Sequence, residues 1–172
     1  MICLPTVAKR EGCALIVPKS DEKDHKMNGN IQTLLNMLHW LGGYVECDNE
    51  EMMSVMITPT CLMGTMYAIM RQNQQWLVKN GVSAPDATYF IGRSYWSMLQ
   101  DAERGCHHEP NHFDHLVAEQ TPGGLNEQAL QNMAYLGVLD AYDVAMDVVY
   151  SQLKGESDGS LPNKKTKTNG ET

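Results

Sequence analysis

The chain has 172 residues, 42% of them apolar and 20% charged, with a formal net charge of −8 at pH 7, which suits one domain of ordinary size or the end of a larger one. The acidic balance excludes a basic nucleic-acid surface, since the lysine group Lys164, Lys165 and Lys167 lies in a polar tail. Five cysteines without a Cys-x-x-Cys pattern predict reduced thiols, and the lack of a signal peptide or a long uninterrupted apolar stretch predicts a cytoplasmic protein with no membrane partner.

In chain order, Ile2-Cys3-Leu4 and Cys13 to Val17 read as short extended pieces around a polar turn at Lys9 to Gly12. Residues 20–30 are polar and read as a solvated connector. Ile31, Leu34, Leu35, Leu38 and Leu41 then mark an amphipathic helix stopped by Gly42-Gly43, and Tyr44 to Cys47 suits one more strand. Asp48, with Glu51 three positions on, predicts a helix cap, and Met52, Val55 and Met56 its buried face. Pro59 interrupts that helix. Leu62, Met66, Ile69, Met70, Asn73 and Leu77 carry a long one to Lys79-Asn80-Gly81.

Ser83, Pro85 and Asp86 signal another start, with Phe90, Ile91, Trp96 and Leu99 on an apolar face toward Gly105. A histidine-rich link leads to a short helix near Asn111 to Glu119. A helix from Leu125 to about Gly137 and a last one through Leu139, Met146, Val149 and Leu153 complete the body. From Gly155 the composition predicts a disordered tail. The twelve methionines and Trp40, Trp76 and Trp96 read as helix-packing, core or dimer-interface residues. These stripes are broader than one helix pair can bury, so a bundle or an interleaved dimer is expected.

The run Thr121-Pro122-Gly123-Gly124-Leu125-Asn126-Glu127-Gln128 is a loop that becomes a helix. Its glycines free the backbone, and the helix start offers unpaired N–H groups and the positive end of a dipole to a carboxylate or phosphate. A tight turn with no ligand is the plainer reading of the same residues.

Thr121-Pro122-Gly123-Gly124 resembles the Ser/Thr-Pro-Gly-Gly signature of pyrroline-5-carboxylate reductases. Pro5 to Gly12 with Ala14 to Val17, Leu41-Gly42-Gly43 before Val45-Glu46, and Gly64 to Ile69 resemble further pieces of that family in the same order. The resemblance runs over residues 1–153. It implies a mainly α fold: an all-helical, interleaved dimerisation and substrate domain over 48–154, preceded by a short β remnant of a Rossmann-like domain over 1–47, with the tail at 155–172. It also implies NAD(P)H-dependent reduction of a ring imine to proline, and a homodimer or higher oligomer. The carboxylate of the imine or of proline would be held by Thr121, Gly123, Gly124, Leu125 and Asn126, with Asn126 the polar contact nearest the chemistry. Positioning the imine against the hydride donor would be the protein's task.

The sequence departs from that pattern in three places. Asn126 stands where the family usually has threonine, and Cys61-Leu62-Met63-Gly64-Thr65 replaces a small-residue loop. No Gly-x-Gly-x-x-Gly turn is present, so no NAD(P)H site is expected and the chain is expected to be inactive alone. Three origins stay open: a fragment, a gene model begun at an internal methionine, or a stand-alone relic. The alternative functions are a non-catalytic dimerising or regulatory module, and a metal site at His107, His108, Glu109, His112, Asp114 and His115, where Pro110 disturbs the helical spacing. Cys106 beside His107 lacks a third partner for nucleophilic catalysis.

Overall fold

The structure, a computed structural model, describes residues 1–3, 5–17, 25–106 and 108–161, with only the backbone of 5, 7 and 25–28. It is mainly α, with a small β portion at the start. The chain forms two compact units: Met1–Cys61 with the stretch from Asp147 onward, and Leu62–Met146.

The first unit is built on β1 (Ile2–Cys3), β2 (Ala14–Ile16) and β3 (Tyr44–Glu46), in the order β1-β2-β3. A 3-10 turn, Pro5–Lys9, joins β1 to β2, which pair antiparallel with Ile2 opposite Leu15. β2 and β3 run parallel, Leu15 opposite Val45, and a parallel pair needs a crossover; α1 (His25–Trp40) supplies it. This helix begins at His25, inside the stretch expected to be connector, because polarity alone does not bar a helix once its apolar face is anchored further on. The remainder of the expected connector, 20–24, lies outside the described residues, as do Leu4, Pro18 and Lys19.

Because side chains alternate along a strand, β2 feeds two small cores. Ala14 and Ile16 pack with Leu38 of α1, flanked by Leu35 and Tyr44. Leu15 packs on the other face with Cys47 and with Met53 of α2 (Glu50–Ile57). A strand covered on both faces reads as a continuous apolar run, as Ala14-Leu15-Ile16 does.

α1 closes with a Schellman motif: Gly43 N–H reaches Leu38 O at 3.0 Å and Gly42 N–H reaches His39 O at 3.5 Å. Gly42 has φ +119°, and a Cβ there would lie 2.6 Å from Gly12 O and 2.8 Å from Gly12 N. Only glycine lets the end of α1 sit against the start of β2.

α2 is capped by Asn49, not Asp48: its side-chain oxygen accepts from Met52 N–H at 2.8 Å. The expected inner face is also displaced. Met53 is 7% exposed, whereas Met52, Val55 and Met56 are 40–44% exposed. The last part of α7 (Val138–Leu153) belongs to this unit, where Tyr150 OH approaches Glu51 Oε1 at 3.5 Å.

A 3-10 stretch, Thr58–Leu62, carries the chain past Pro59 into the second unit and α3 (Met63–Lys79). The continuous helical run Glu50–Lys79 is long and apolar enough to cross a membrane by length and composition. The expectation that no such stretch exists stopped at Pro59, whereas the helical path continues through it; core helices of water-soluble proteins pass the same test. α3 ends in a second Schellman motif, Val82 N–H to Leu77 O and Gly81 N–H to Val78 O, each 3.1 Å. α4 (Ala84–Gly105) is capped by Ser83, which accepts from Asp86 N–H at 3.3 Å. α3 and α4 pack together, and Asn73 donates to Tyr95 OH at 3.0 Å. α5 (His112–Ala118) and α6 (Leu125–Tyr135) follow.

Among the described residues of this unit, Ala87 alone among the apolar side chains is buried. Trp76, Phe90, Trp96 and Leu99 are 49–62% exposed, and in the first unit Trp40 is more exposed still, so none of the three tryptophans is a core residue of this chain. Of the expected tail, residues 155–161 are bends and irregular backbone after a turn at Gly155, with Ser160 N–H donating to Asp158 Oδ1 at 2.8 Å, and 162–172 lie outside the described residues.

Candidate functional site

Pro122 ends the approach from α5, and Gly123 turns the chain with φ +71°, a left-handed geometry that favours glycine. Gly124 is extended at the cap of α6, and its N–H donates to Thr121 O at 2.8 Å. A Cβ at Gly124 would itself meet Thr121 O at 2.8 Å, so the turn needs glycine there whether or not a ligand comes.

Around the turn lies an open hollow of about 650 Å³ lined by Glu119, Gln120, Thr121, Gly124, Leu125 and Asn126. Four of the five expected site residues line it; Gly123 does not. Leu125 is 83% exposed and Asn126 is exposed. Among the described residues nothing accepts a hydrogen bond from the backbone N–H of Leu125 or Asn126. These two donors point with the positive end of the α6 dipole, an arrangement suited to a carboxylate.

Glu127 belongs to the same run but is not one of the expected site residues. Its Oε2 accepts from Gly123 N–H at 2.6 Å, and Gln128 Nε2 donates to Gly123 O at 2.9 Å. Glu127 holds the third position of α6, from which a glutamate reaches back to an orphan donor, so its place in the sequence was the available signal. It satisfies one N–H of the turn and sets a negative charge on the same helix end.

The rival histidine segment is organised differently. Glu109 Oε2 faces His112 Nδ1 at 3.4 Å and His115 Nδ1 at 3.3 Å. The carboxylate thus faces both rings at ion-pair distance. Among the described residues no group of three His, Cys, Asp or Glu side chains is placed to hold a metal ion, and His107 lies outside them.

A dinucleotide cofactor does not fit what is present. The described β-α-β unit is β2–α1–β3, and the segment 17–24 between β2 and α1 contains no glycine to bring a backbone against a pyrophosphate.

No protein-family model matches the sequence, and no curated protein matches it. Solved structures do. A pyrroline-5-carboxylate reductase from Coxiella burnetii superposes with a TM-score of 0.69 at 15% identity, over 91% of this chain and 56% of that one. The pyrroline carboxylate reductase of Plasmodium falciparum, solved with NADP bound, gives a TM-score of 0.66 at 14% identity, over 92% and 62%. The chain therefore has a pyrroline-5-carboxylate reductase-like fold and spans less than two thirds of the length of either structure.

Proposed function

We propose, from this fold, that the chain is the dimerising and substrate-binding part of a pyrroline-5-carboxylate reductase-like oxidoreductase of the cytoplasm, inactive by itself. The observation that carries the reading is the start of α6, where the unpaired N–H groups of Leu125 and Asn126 open onto the hollow. In this role the two N–H groups hold the carboxylate of a cyclic imine or of proline, and the Asn126 carboxamide contacts the ring nitrogen. Thr121, Gly123 and Gly124 shape the turn that presents them. When bound elsewhere in a complete enzyme, a nicotinamide cofactor would supply the hydride; no residue of this chain is assigned to hold it.

The apolar faces of α3 and α4 support the dimer, since a lone chain leaves them in water. The same faces favour a second reading, a dimerising module that never turns over an imine. Calorimetric titration with L-proline and with prolinamide separates the two. Binding of proline but not the amide, weakened about tenfold in Asn126→Ala by loss of a hydrogen bond to the ligand, supports the first reading. A dimer that binds neither compound leaves only the second.

A further inference from the structure

The joint between α4 and α5 is built around one imidazole. His112 opens α5, and its ring occupies the place where a Cβ of Gly105, the last residue of α4, would stand. The side chain is 14% exposed. Nε2 lies 3.0 Å from the carbonyl oxygen of Asp101 on α4, while Nδ1, shut off from solvent and without a hydrogen bond among the described residues, stands at ion-pair distance, 3.4 Å, from Glu109 Oε2.

A neutral imidazole has one N–H and can serve one of these acceptors; an imidazolium serves both. The neighbouring His115 is arranged otherwise. Asn111 Nδ2 donates to its Nε2 at 3.0 Å, which leaves the ring proton on Nδ1, 3.3 Å from the same Glu109 oxygen. Of the two rings, only His112 keeps a ring nitrogen without a hydrogen bond opposite a carboxylate, a contact that a second ring proton would complete.

We propose that this joint is a proton-operated clasp: doubly protonated His112 fastens α5 to the end of α4, and loss of one ring proton releases one hold and loosens α5 with the loop 119–124 that follows it. Because that loop lines the hollow, the clasp would regulate the proposed site, but its own operation does not depend on what the hollow binds.

The surroundings favour the charged form. Asp101, paired with Arg104, lies on α4; His108 and Glu109 lie on the link; Asp114, His115 and Glu119 lie on and after α5. The Asp101 carbonyl, then Glu109, hold His112 above its ordinary value, against the opposing effect of desolvation. The His115 hydrogen bond, then the nearby His112 ring, holds the Glu109 carboxyl below its own ordinary value.

A raised histidine value gives stabilisation that is full below the unfolded-state value of 6.5 and is lost as pH rises through the folded one. A lowered glutamate value gives stabilisation that is present above 4.5 and is lost as pH falls through the folded one. The clasp therefore holds most firmly between those limits and opens on the alkaline side.

The test uses the full chain. Ring nitrogen NMR reads the His112 titration, and amide exchange over 112–124 is measured at about pH 5.5 and about pH 8.5, corrected for intrinsic rates. His112 should titrate above 6.5. Corrected exchange should rise about tenfold at the higher pH, roughly the factor that loss of one hydrogen bond carries. In His112→Gln, whose carboxamide donates to Asp101 O at every pH, that rise should vanish. A His112 that titrates at or below 6.5, equal protection at both pH values, or a pH step that survives in His112→Gln would overturn the clasp. Should the glutamine variant not fold, Glu109→Gln decides: the His112 titration must move down, and an unmoved titration overturns the proposal.

Discussion

Gly42 stands where the backbone of one segment meets the backbone of another, so nothing flexible can yield to a side chain there. Gly42→Ala should cost about 1–3 kcal/mol, through left-handed strain and the collision with Gly12, read as a lowered midpoint in urea. Gly124 is a different case. Its missing Cβ is demanded by Thr121 O, so a bulky residue would distort the turn and could not report on ligand approach. Glu127 is the more informative position. Its carboxylate sits at the helix end that the proposed ligand's carboxylate would share, so Glu127→Gln should tighten proline binding about two- to tenfold by removing like-charge repulsion while keeping a side-chain oxygen for Gly123 N–H. Weaker or unchanged binding in a titration would show that the charge does not face the ligand.

At the scale of elements, the caps and stops were legible because they are local chemistry. Ser83 and Asp86 start α4, and Gly42 and Gly81 end α1 and α3, as their types and places in the sequence indicate. Ser83→Ala should cost about 1 kcal/mol in thermal unfolding, the usual loss for a cap whose oxygen serves a backbone donor. Other features depend on what a segment packs against and were not legible. Asp48 and Asn49 are equally good caps on paper; the structure uses the one whose oxygen reaches Met52 N–H. Glu50–Ile57 is apolar on more than one side, so periodicity cannot say whether Met53 or Met52 turns inward until β2 is in place. The hollow followed the same division. Thr121 to Asn126 announced a loop before a helix, whereas nothing about Glu119 and Gln120, at the expected end of a short helix, marked them as part of the lining.

The whole molecule is organised by what it leaves uncovered. In a solitary chain, replacing an exposed side chain with glutamate is close to neutral, within about 0.5 kcal/mol. In a proposed dimer the same change on α4 would bury a charge. Phe90→Glu should therefore convert a dimer to monomer in sedimentation equilibrium, and the midpoint of wild-type thermal unfolding should rise with protein concentration while that of the variant does not. Concentration-independent unfolding of the wild type would count against association. The division into units has a further consequence, one that concerns time. The first unit takes residues from both sides of Leu62–Met146, so its share of α7 leaves the ribosome only after the whole intervening unit. At about 5–20 residues per second, translation of that insert lasts on the order of 4–17 s. Throughout that interval Glu51 has no Tyr150 to meet, and the nascent sheet with α1 and α2 must persist as an unfinished body while the helices after it are already free to fold.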